Sequence, residues 1–130
     1  MEITARKINV NKSQEELFEF LKQVKNFEEL MPENISKFEV LHPNAFVFAL
    51  KGMPEIALEV KEENPYSKIV LGAMSDKIPF NLTGNIASAS ENTSQLQLQF
   101  QGDFNPMMAM MIKGPISKFL ETLSSNLEKL

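Results

Sequence analysis

Across residues 38–100 the apolar side chains recur at every second position, in six segments parted by short polar or proline-containing turns. Phe38 and Val40 form the first segment, and Phe46, Phe48 and Leu50 the second. Ile56, Leu58 and Val60 follow, then Ile69, Leu71 and Ala73. Phe80, Leu82, Gly84 and Ile86 make the fifth, and Leu96, Leu98 and Phe100 close the series, alternating with Gln95, Gln97, Gln99 and Gln101. Period two sends one row of side chains to each face of a strand. Six such strands on short connections predict an antiparallel meander, apolar on one side and wet on the other, with the glutamine row as its solvated face. Turns are expected at 42–44, 52–54, 62–65 and 75–77, and across the polar stretch 87–94.

A meander of this length twists and curls, and its concave face needs an apolar cover. The segment able to provide one follows Asp103. Pro106 suits a first helical position, and Ile112, Ile116, Phe119, Leu120, Leu123 and Leu127 fall on one stripe. About 25 residues at ~1.5 Å each reach roughly 37 Å, enough to cross the sheet. Asp103, just ahead, is expected to cap this helix or favour its dipole. Gly114 and Pro115 interrupt it, costing about 1 and about 3 kcal/mol in a helix interior. A kink or a break dividing 106–113 from 115–130 is therefore expected, either as a bend around the curved sheet or as a hinge for a methionine-rich lid. Met107, Met108, Met110 and Met111 cover most of the helix circumference and cannot all face inward. At least one is expected to be exposed, or pressed against the 52–54 loop or a second chain. That makes 105–114 the place for a homodimer contact or a protein partner.

Ahead of the meander, residues 3–10 read as a strand whose alternation changes phase, from Ile3 and Ala5 to Ile8 and Val10, as a bulge would cause. Ser13 and Glu16 have the spacing of a capping box, and Leu17, Phe18, Leu21 and Val24 follow at helical spacing. Phe27, Leu30 and Met31 continue as a second short helix or turn, stopped by Pro32. The order is β-α-α-β6-α. The fold class is α+β: a curved antiparallel sheet of about seven strands wrapped around a long C-terminal helix, one domain over 1–130.

Composition narrows the function. A net charge of −4 without a basic cluster excludes nucleic-acid binding of the electrostatic kind. The absence of cysteine and the single histidine leave a transition-metal site very poorly supplied with ligands, and no cofactor is expected. No stretch has the length of a membrane span, so stable membrane insertion is not expected, and the polar N-terminus makes a cytoplasmic location the expectation. The sequons at Asn11, Asn34, Asn81 and Asn92 then read as turn and strand residues. His42 lies in a His-Pro-Asn turn, and Glu28, Glu29, Glu62 and Glu63 fall on expected surfaces, so no catalytic residue is assigned. With ten phenylalanines, no tryptophan and one tyrosine, the interior has few fixed polar groups. Residues expected to line a pocket beneath the last helix are Phe38, Phe48, Leu58, Phe80, Leu82, Phe100, Met108, Met111 and Ile112, with a small apolar ligand as partner. The competing expectation is that these side chains fill the space, because an empty pocket of roughly 300 Å³ would cost on the order of 7 kcal/mol.

The order of elements, with the segment Phe27-Glu-Glu-Leu-Met-Pro32 after the first helix, resembles the helix-grip domains of the START/Bet v 1-like (SRPBCC) superfamily. Four segments are more similar to a bacterial branch of uncharacterised members, seen mainly in Bacteroidetes. They are Asn26-Phe-Glu-Glu-Leu-Met-Pro32, Phe48-Ala-Leu-Lys-Gly-Met53, Pro79-Phe-Asn-Leu82 and Asn105-Pro-Met-Met-Ala-Met-Met111. The resemblance implies a cavity between sheet and helix used for lipids, sterols, polyketides, quinones or plant hormones. A minority of the superfamily are enzymes such as polyketide cyclases, and others bind proteins. The functional expectation is apolar-ligand binding without catalysis, with an interaction module or a cyclase- or hydrolase-type enzyme as alternatives.

Overall fold

The computed structural model describes residues 1–51, 55–74 and 79–130. The expected turns at 52–54 and 75–77 lie outside these. One antiparallel sheet contains β1 (Glu2–Thr4), β2 (Ile8–Val10), β3 (Ile35–His42), β4 (Ala45–Leu50), β5 (Ile56–Asn64), β6 (Lys68–Ala73), β7 (Phe80–Ser90) and β8 (Thr93–Gly102). Its order is β1-β8-β7-β6-β5-β4-β3, with β2 also paired to β8. Two helices complete the fold, α1 (Gln14–Lys22) and α2 (Pro106–Glu128), with a 3₁₀ helix over Val24–Leu30. Eight strands replace the expected seven because the first is two. Between Thr4↔Gln99 and Ile8↔Leu96 the first segment advances one residue more than β8 does. That extra residue is the phase change in the sequence, and it returns Ile8 and Val10 to the buried face. The glutamine row proves to be more than a wet surface. Gln97 donates to the Ala5 carbonyl inside the gap, at 3.0 Å, and Gln99 donates to Glu2 at 2.8 Å.

Two turns are shorter than hydropathy implied. β5 runs on to Asn64 and β7 to Ser90, beyond their last buried residues. In these extensions both faces are wet, so alternation vanishes while the backbone ladder continues. β4 is buried along its whole length, and Val40 on β3 is exposed where that strand's pairing shifts register.

The capping box forms as the sequence requires: the Glu16 amide donates to Ser13 Oγ at 3.1 Å, and the Ser13 amide donates to Glu16 Oε1 at 3.0 Å. α1 buries Leu17, Phe18 and Leu21 against the sheet, and the 3₁₀ helix adds Val24, Phe27 and Leu30. α2 is capped by Asn105, whose side chain accepts the Met108 amide at 2.8 Å, in place of the expected Asp103. Asp103 stands two residues too early for that contact. Pro106 at the first helical position leaves no amide in need of a partner there. The helix continues through Pro115 without the expected break. Gly114 and Pro115 both lie on its solvent side, and a β carbon added at Gly114 would meet nothing within 4 Å. Every buried residue of α2 comes after this pair: Ile116, Phe119, Leu120, Leu123, Ser124 and Leu127. Arg6, in the gap between β1 and β2, fastens the far end. Its guanidinium donates to both Glu128 carboxylate oxygens at 2.9 and 3.0 Å and to Glu121 at 3.1 Å.

Candidate functional site

Beneath the first half of α2 the sheet and helix separate, leaving a cavity of about 590 Å³. Phe48 from β4, Leu58 from β5 and Leu82 from β7 form part of its sheet wall, with Phe80 and Phe100 at one end. Met108, Met111 and Ile112 from α2 close it from the other side. Eight of the nine residues expected from sequence therefore surround one space. Phe38 does not reach it. It is the register partner of Phe48 but sits on the outermost strand, where its ring stacks on Phe46 at 5.3 Å.

Sequence reasoning missed several lining residues for two reasons. Phe104 falls in the linker to α2, outside any periodic segment, yet its ring folds back to stack on Phe100 at 6.0 Å and 5°. Gly102 permits this, because a β carbon there would collide with the Phe104 ring. Val47 and Ala57 line the cavity from off-phase positions that alternation had set aside, and Ala73, in phase with Ile69 and Leu71, was passed over as a small residue. Ile116, Phe119 and Leu120 had been assigned to the core alone, and they serve both core and wall. Phe119 stacks on Phe48, with centroids 5.1 Å apart and planes 9° from parallel.

The wall is almost devoid of ionisable groups. Of the 18 described residues that form it, Glu55 is the one with a titratable side chain. Its carboxylate accepts from Lys37 at 2.8 Å, and this bond pushes the Lys37 ammonium above its ordinary value. Glu55 and Met111 are exposed, so they mark the mouth. Met111 is 71% exposed there, Met107 and Met110, which do not line the cavity, are 75% and 83% exposed, and Met108 turns inward. Among the described residues no three His, Cys, Asp or Glu side chains gather as a metal site would require, and no helix is long and apolar enough to cross a membrane.

No family model matches the chain, and no curated protein matches its sequence. Solved structures do. A START superfamily protein from Mycobacterium smegmatis is 16% identical with a TM-score of 0.76, covering 98% of this chain and 94% of its own. Truncated norcoclaurine synthase from Thalictrum flavum is 9% identical with a TM-score of 0.73, over 99% and 92% of the two chains. A conserved protein from Geobacillus kaustophilus is 13% identical with a TM-score of 0.70, over 99% and 93%. The likeness to a Bacteroidetes-type branch rests on the four sequence segments alone. Sheet order, long C-terminal helix and full-length superposition agree, and the chain has the helix-grip fold of the START/Bet v 1-like superfamily.

Proposed function

We propose that this chain binds a small apolar ligand, of lipid, quinone or polyketide type, in the cavity between the sheet and α2, without catalysing its conversion. The observation that carries the reading is the cavity itself: about 590 Å³, inside the ~300–1,000 Å³ typical of small-molecule sites, with a wall apolar in all but Glu55. A sealed, dry space of that size would cost on the order of 14 kcal/mol. That equals the upper end of a whole domain's stability, ~5–15 kcal/mol. A fold retaining such a space gains by filling it. Acid–base catalysis requires a titratable group facing the substrate. On the described wall that leaves Glu55, at the mouth and engaged by Lys37.

The test is native mass spectrometry and solvent extraction of the purified protein, followed by thermal denaturation with a panel of fatty acids, isoprenoid quinones and sterols. A ligand at 100 times its Kd should stabilise the protein by about 2.7 kcal/mol. Met108→Trp, which fills the space from α2, should abolish the ligand-induced rise in Tm and leave the unliganded Tm unchanged or higher. If no apolar compound raises Tm or co-purifies, the reading fails. A second reading, favoured by the exposed methionines, adds a docking role for the start of α2, either with a second copy or with a protein partner.

A further inference from the structure

We infer that the ligand is an anionic amphiphile, its tail in the apolar cavity and its head group held outside at Lys51 and Lys118. This rests on the cavity reading above. The cavity wall offers an anion nothing: no described residue on it is cationic, and its one charge, on Glu55, repels. A carboxylate or phosphate buried there would lose its hydration without compensation. Immediately across Phe119 the chemistry inverts. A second groove of about 440 Å³ runs along the other flank of α2, between the helix and the end of β4, and Phe119 lines both spaces. The Phe119 ring, stacked on Phe48, is common to both walls.

Among the described residues, the polar side chains of this groove are Asn34, Lys51, Lys118 and Thr122, a set of hydrogen-bond groups with two ammonium donors and no carboxylate. The Lys51 amide donates to the Asn34 carbonyl at 3.0 Å, which fixes one cation's backbone at the groove's edge. Among the described residues neither lysine forms an ion pair; Glu121, three residues along α2 from Lys118, is held by Arg6. Over residues 104–120 the charges are Lys113 and Lys118 alone, in a chain whose net charge is −4. Two cations in one groove therefore stand out against an acidic molecule, beside an apolar cavity that has no place for a charge.

A fatty-acid carboxylate and a lipid phosphate share the chemistry this groove would recognise, so both are tested. Affinities of the full chain for oleate, lysophosphatidate, oleyl alcohol and monoolein are measured by isothermal titration at low and at physiological salt. At least one anionic amphiphile should bind about tenfold more tightly than its neutral counterpart, with the margin shrinking as salt rises. Oleate ahead of lysophosphatidate assigns a carboxylate head, and the reverse assigns a phosphate. In the double variant Lys51→Gln/Lys118→Gln the margin should fall to within about twofold while neutral affinity holds. Both side chains are exposed, and an unchanged Tm verifies folding. Equal binding of neutral and anionic forms, or a margin that survives the double variant, overturns the inference and leaves the cavity reading intact. Failure of all four compounds to bind overturns the inference, and the wider panel of apolar compounds then decides the cavity reading.

Discussion

Arg6 occupies the gap where β1 gives way to β2, and from there it holds α2 by its last two turns. Its hydrogen bonds keep the Glu128 carboxyl below the ordinary value near 4.5. A carboxylate depressed in the native state stabilises above its unfolded pKa, and that contribution is lost as pH falls through the native one. Arg6→Met should therefore lower Tm at neutral pH, with the difference from wild type shrinking as pH drops below about 4.5 and vanishing at stronger acidity. A gap in Tm that stays constant from neutral pH to pH 3 would show that the clasp acts through packing instead. At this scale the sequence was legible wherever local chemistry decides. Ser13 and Glu16 announced their cap, and Asn105 was overlooked for Asp103 because both residue types cap helices and only backbone geometry separates them. Phe38 had the right parity on the wrong strand. Period two reports which face a side chain takes and is silent on how far across the sheet the helix reaches.

α2 is two helices' worth of behaviour on one backbone. Its second half is sequestered by Ile116, Phe119, Leu120, Leu123 and Leu127, and tied to the 3₁₀ helix by Asn126 donating to the Leu30 carbonyl at 2.8 Å. Its first half buries nothing fully and carries the cavity mouth. Gly114 sits at the join, and no neighbour demands its lack of a side chain. If the join is only a bend, Gly114→Ala should stabilise the protein by about 0.5–1 kcal/mol and leave ligand exchange unchanged. If it is a hinge, the same substitution should slow ligand uptake several-fold in stopped-flow measurements while stability still rises. The helix was readable from its apolar stripe. Its continuity through Pro115 was not, because proline's cost falls on the solvent side, where the freed carbonyl has water. The same blindness hid the ends of β5 and β7, where wet ladders have no hydropathy signature.

For the molecule as a whole, the sheet's curl and the helix across it follow from alternation plus one stripe, which is why the order of elements pointed to the right fold. The cavity is different in kind. Phe48, Leu82 or Ile112 could equally have met in a closed core, and what keeps them apart is the path of the backbone rather than any property of the residues. The proposed docking role also belongs to this scale. If the three exposed methionines seat a second copy, sedimentation at high protein concentration should reveal a dimer, and Met107→Lys/Met110→Lys should return it to monomer. A wild-type monomer whose solubility is indifferent to that change would remove the homodimer and leave the partner-protein form to pull-down with the same variant.

The gap between β1 and β2 has a consequence in time. Among the described residues β1 and β2 pair with β8 alone, and Arg6 reaches Glu128 across 122 residues. At about 5–20 residues per second, a ribosome needs roughly 5–20 seconds to deliver the β8 partners of these strands, and roughly 6–25 seconds to bring Glu128 to Arg6. Until then α1 and the meander can assemble on short-range contacts, while the opening segment has no partner strand. Such distant pairing slows folding and lengthens exposure of an unpaired edge. β1 and β2 are made well before β8 and are joined only once it arrives.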